Sequence, residues 1–145
     1  MSDWIEQIDI AGDRYDLKDL QTSAQATQNA QEINGIKTGN DYSLSEINTG
    51  KKWLDGRDIY KLTITGSLTV GANESVSFAN ISALSIDKVV KYFGVLEYNT
   101  GDFLDMNNNI SRVAIRASEG SIVFTSEIAR NNRPFWFTVE YIKRL

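Results

Sequence analysis

No dipeptide constrains this chain more than Asp55-Gly56, inside the run Asn48-Thr49-Gly50-Lys51-Lys52-Trp53-Leu54-Asp55-Gly56-Arg57-Asp58-Ile59-Tyr60-Lys61-Leu62-Thr63. Both residues tolerate the positive φ values that a tight two-residue turn demands. Trp53-Leu54 and Ile59-Tyr60 are therefore expected to fold back on one another as a hairpin. The run is also a joint. Ahead of it the chain is polar, with an alanine-rich segment free of glycine and proline; behind it one short β-type run follows another.

Beyond the joint, Tyr60, Leu62 and Ile64 alternate with Lys61, Thr63 and Thr65, the pattern of a half-buried strand. Gly71-Ala72-Asn73-Glu74 reads as a turn, and Val76 and Phe78 open the next strand. Val89–Tyr98 is apolar on both faces, which places it inside a sandwich or beneath a neighbouring subunit. Ile110–Ser126 is the clearest hairpin: Val113, Ile115 and Ala117 share one face, Glu119-Gly120 turns, and Ile122 and Phe124 return. A last strand is expected to place Phe135, Phe137, Val139 and Tyr141 inward. Short strands at this spacing, with no helix between them, predict a mainly β head over 48–145, an antiparallel β-sandwich of jelly-roll-like type.

Residues 1–17 read as a smaller hairpin. Ile8 and Ile10 would face Tyr15 and Leu17 across turn chemistry at Gly12-Asp13. A two-stranded hairpin is not stable alone in water, so it must lie on something. The sequence leaves two surfaces open, the chain's own β-domain or another protein. Residues 18–47 read as a helical neck and linker. Asp16 can cap a helix running to about Ile33, with Ala24, Ala26 and Ala30 favouring it. A heptad frame through Leu17, Leu20, Ala24, Thr27, Gln31 and Asn34 decays from apolar to polar. That composition suits a short three-stranded neck better than a lone amphipathic helix, although an exposed helix or linker is the alternative.

Function classes are narrowed by absences. The 145 residues contain no cysteine and no histidine, and so lack disulfides, the usual zinc ligands and the usual general base of Ser or Cys hydrolases. Lys and Arg number 15 against 19 Asp and Glu, which argues against a nucleic-acid footprint. With 41% hydrophobic residues the chain can bury a core, yet no apolar run approaches the roughly 18 residues of a membrane span. The acidic start Met1–Glu6 has neither a basic n-region nor an apolar h-region, so no secretory signal is expected. Asp102, Asp105 and Asn107-Asn108-Asn109 offer oxygen ligands for calcium, but their spacing departs from an EF-hand loop, and a structural turn uses the same residues. No pair of acids stands out for glycoside hydrolysis. Trp53, Tyr92, Tyr98 and Trp136 can stack on sugars or fill a core. Arg112 and Arg116 share a strand face that can hold an anion or simply face water. No catalytic, metal or cofactor site is expected.

The phrase Thr49–Lys61, read as TG-x-x-W-x-DG-x-x-IY-x, resembles the opening of small β-domains in structural proteins of tailed phages. These include tail-fibre, baseplate receptor-binding and head-fibre proteins. Phe137–Lys143 is similar to their closing strand, and Ile10–Asp19 to a phrase near their start. Asp58, where proline is common, and Ile142, in place of threonine, depart from the pattern. The resemblance implies a non-enzymatic virion component, a homotrimeric fibre or spike. Its attachment hairpin would carry Trp4, Ile5, Ile8, Ile10, Tyr15 and Leu17, and its neck would be held by Leu20, Ala24, Thr27 and Gln31. Implied partners are other virion proteins (capsid, portal, tail or baseplate), with a host cell-surface glycan as a candidate ligand, and neither nucleic acid nor membrane insertion. The competing class is a monomeric carbohydrate-binding β-sandwich module.

Overall fold

A computed structural model describes residues 7–10, 13–16 and 41–145. The chain divides into two units, Met1–Thr38 and Gly39–Leu145. In the first, β1 (Gln7–Ile10) pairs antiparallel with β2 (Asp13–Asp16), with Ile8 opposite Tyr15 and Ile10 opposite Asp13. The hairpin expected over 1–17 is present over these strands, but Asp13 is a strand residue rather than half of the turn. Trp4, Ile5 and Leu17 lie outside the described residues. So does the segment expected to form a helical neck, with Leu20, Ala24, Thr27 and Gln31.

The second unit holds β3 (Ile47–Lys52), β4 (Asp58–Val70), β5 (Glu74–Asn80), β6 (Ile86–Asn99), β7 (Asp102–Asp105), β8 (Ser111–Arg116), β9 (Ser121–Ser126) and β10 (Arg130–Lys143). It is mainly β and antiparallel, in a five-stranded sheet ordered β3-β4-β10-β6-β7 and a three-stranded sheet ordered β5-β9-β8. Among the described residues the one helical element is a 3-10 turn at Ser82–Leu84. Residues 41–46, assigned to the neck and linker by sequence, contain no helix.

The two sheets share one hydrophobic core. Phe135, Phe137, Val139 and Tyr141 of β10 are buried as their alternation requires, with Leu68, Val70 and Leu96 from the same sheet and Val113, Ile122 and Phe124 from the other. Phe78 of β5 meets Phe135 and Phe137 edge-on, at centroid distances of 4.9 and 5.5 Å. A buried phenylalanine contributes about 1.5–3 kcal/mol by leaving water, so this aromatic seam helps to hold the sheets together.

The Asp55-Gly56 turn forms, with one more residue than a two-residue loop has. Gly56 N–H donates to the Trp53 carbonyl at 3.0 Å, Trp53 N–H donates to the Arg57 carbonyl at 2.8 Å, and Gly56 has φ +88°. This is the three-residue hairpin loop in which glycine takes the left-handed position. Trp53 and Leu54 consequently lie in the connection, and Leu54 is 92% exposed. The hairpin over Ile110–Ser126 forms with Val113 opposite Phe124 and Ile115 opposite Ile122. A second difference concerns Asp102 and Asp105. They bound strand β7 at the edge of the larger sheet, paired to β6 through Leu104 and Leu96, rather than lying in an open loop.

Candidate functional site

Inward alternation along β10 turns Trp136, Thr138 and Glu140 to the outer face of the five-stranded sheet. The register sets Glu140 opposite Lys61 of β4 on one side and Lys91 of β6 on the other, and Thr138 between Thr63 and Phe93. The hydroxyls of Thr63 and Thr138 are 2.9 Å apart. Ahead of β3, residues 41–46 run on beside β4, where Thr63 N–H donates to the Ser43 carbonyl at 2.9 Å. This brings Tyr42 over the face. Lys61 Nζ lies 5.1 Å from the centre of the Tyr42 ring, and the Tyr42 and Phe93 rings meet edge-on at 6.2 Å.

Tyr42, Lys51, Lys61, Lys91, Phe93, Thr138 and Glu140 together line a cavity of about 90 Å³. Lys61 was expected on a solvated polar face, and the alternation is as expected. Its side chain is nonetheless covered, with the residue 7% exposed. The one carboxylate in the lining is Glu140, which lies 3.9 Å from Lys51 Nζ. Among the described residues no carboxylate lies within 4.0 Å of the Lys61 or Lys91 ammonium. Three lysines thus line a hollow with one carboxylate, Lys61 covered and Lys51 and Lys91 exposed at its aromatic edge. Arrangements of this kind attract anionic groups, because water has been partly replaced by protein around the positive charge.

The candidates read from sequence fall elsewhere. In the 106–110 loop two of the three asparagine oxygens are occupied by backbone: Val113 N–H donates to Asn107 at 2.7 Å, and Ile110 N–H to Asn108 at 2.8 Å. Asp105 accepts from Asn107 N–H at 2.8 Å. This is the structural turn, its side chains standing in for missing ladder bonds. Asp55 and Asp87 both bind Arg57, and the Arg57 hydrogen bonds hold the Asp55 carboxyl below the usual aspartate range. Such a carboxylate is a poor general acid. Arg116 reaches Glu119 at 3.4 Å, while Arg112 borders a separate polar hollow of about 360 Å³ with Asn108, Ser111 and Glu127. Trp136 packs edge-on against Phe103 at 5.6 Å, and Tyr98 lies 5.8 Å from the Arg130 guanidinium.

Sequence reasoning missed Tyr42, Lys51, Lys91 and Phe93 as a group. Their common face depends on strand order, and the usable signal was the outward parity of Lys61 with Thr63. No family model matches the chain, and neither does any curated protein or solved structure.

Proposed function

We propose that the protein is a non-enzymatic structural component of a tailed-phage particle. In this reading it is a homotrimeric head or tail fibre or spike, attached through residues 1–17 and bearing a jelly-roll-like β-sandwich head. The observation that carries this is the division of the chain. A two-stranded hairpin, too small to stand alone, belongs to a unit separate from the β-rich one. Supporting it, the two phrases that resemble phage domains are neighbours in space: Tyr60 and Lys61 of the opening phrase pair with Tyr141 and Glu140 of the closing strand. The winding also suits the head, since β4 and β5 lie against β10 and β9 in the two sheets respectively.

The attachment set Trp4, Ile5, Ile8, Ile10, Tyr15 and Leu17 offers apolar anchors. Each contributes about 1.5–3 kcal/mol if fully covered, before ordering costs. Three copies on one axis would add avidity. Sedimentation of the full chain at micromolar concentration tests the assembly, and a trimer mass is expected. A monomer mass would overturn the reading and favour the solitary carbohydrate-binding module. Ile8→Asp is expected to leave the β-rich unit folded and to prevent incorporation into particles.

A further inference from the structure

We propose that the lysine-lined cleft on the outer face of the five-stranded sheet binds the anionic group of an acidic saccharide, a carboxylate or a phosphate, with the sugar ring resting against Tyr42. The charge argument comes first. Lys51, Lys61 and Lys91 arrive from three different strands against the single carboxylate of Glu140, which leaves the lining of the cleft with two positive charges in excess. Lys61 is the telling one. Its residue is 7% exposed, no ion pair holds it among the described residues, and its ammonium is set over an aromatic ring. Covering a cation without pairing it is unfavourable, and an incoming anion relieves that cost.

Size and shape give the class of ligand. The hollow is small, about 90 Å³, and lined by charged side chains, so it suits a compact charged substituent better than the body of a sugar. The ring then lies outside, where the surface is aromatic: Tyr42 is 68% exposed, and Phe93 stands edge-on beside it. An exposed aromatic side chain beside a cationic pocket suits a body with apolar C–H faces and one charged substituent. Thr138, buried between Thr63 and Phe93 in register, adds a hydroxyl already paired with Thr63.

Titration calorimetry of the full chain with sodium glucuronate, glucose 1-phosphate, glucose and inorganic phosphate tests this. At least one acidic sugar should bind saturably and more weakly as salt is raised, whereas glucose should give no heat. Glucuronate or glucose 1-phosphate binding alone would assign the charged group as carboxylate or phosphate. Lys91→Gln, at an exposed position, is expected to weaken the acidic sugar about tenfold, the loss of one hydrogen bond to a charged group. Tyr42→Ala should weaken it while leaving inorganic phosphate unchanged. Failure of both acidic sugars to bind would overturn the proposal, as would unaltered affinity in Lys91→Gln or in Tyr42→Ala. Lys61→Met should abolish binding with the fold intact; if that variant does not fold, the exposed Lys91→Gln carries the test. None of this depends on the particle reading. A monomer that binds would sink the fibre and keep the site, and a trimer that binds neither sugar would do the reverse.

Discussion

Arg57 ties the β3–β4 turn to two distant parts of the fold. Its guanidinium donates to Asp55 at 2.8 Å, to Asp87 at 2.9 Å and to the Lys143 carbonyl at 3.1 Å. The turn at Gly56 presents it, and β6 and β10 receive it. Hydrogen bonding to Arg57 lowers the Asp55 pKa, so this contact favours folding only while Asp55 is ionised. Its contribution is present above about pH 4, the range of an unfolded aspartate, and fades as pH falls through the lower folded value. Asp55→Asn should therefore be less stable than the parent near neutrality, with the gap closing in acid. Urea midpoints between about pH 2 and 7 measure it, and a gap independent of pH would exclude the charge of Asp55 as the cause.

At the scale of elements, β6 depends on one glycine. A Cβ on Gly94 would meet Met106 Sδ at 2.6 Å and the Phe137 ring at 2.8 Å, both in the core. Gly94 also accepts the Met106 N–H at 3.0 Å, which fixes the start of the 106–110 loop. Gly94→Ala is expected to cost about 1–3 kcal/mol by overpacking, read as a lower urea midpoint with an unchanged slope. Strands such as β8, β9 and β10 were legible because long alternation forces one face inward. β7 was not: Asp102-Phe103-Leu104-Asp105 is short, charged at both ends and followed by asparagines. Trp53 and Leu54 were read as strand because the loop register turns on one extra residue, which composition does not carry. The lysine cleft was illegible for another reason. Its members lie on β3, β4 and β6 with Glu140 on β10, and only the sheet order brings strands so far apart in sequence onto one face.

For the whole molecule, the unit boundary between Thr38 and Gly39 predicts how the chain can be cut. A chain beginning at Gly39 keeps the core and both sheets, and should unfold in urea as one cooperative transition with a β-type circular dichroism spectrum. It should also be monomeric and absent from particles, since the proposed neck and hairpin are gone. Normal incorporation of that shortened protein would move the anchor into the β-rich unit. Leu20→Asp in the full chain tests the neck separately, because carboxylates brought together on one axis should shift the sedimentation profile toward monomer.

β10 lies between β4 and β6, although it is the latest of the strands to leave the ribosome. Until it emerges, β3–β4 and β6–β7 are two separate hairpins with no partner between them, and Phe78 has neither Phe135 nor Phe137 to meet. The larger sheet therefore closes only after translation has passed Arg130. Pairings as distant as Tyr60 with Tyr141 make that closure slow for a chain of this size. During the wait, the facing edges of β4 and β6 are open to strands of neighbouring nascent chains. Crowded synthesis therefore leaves these two edges open to aggregation until β10 is in place.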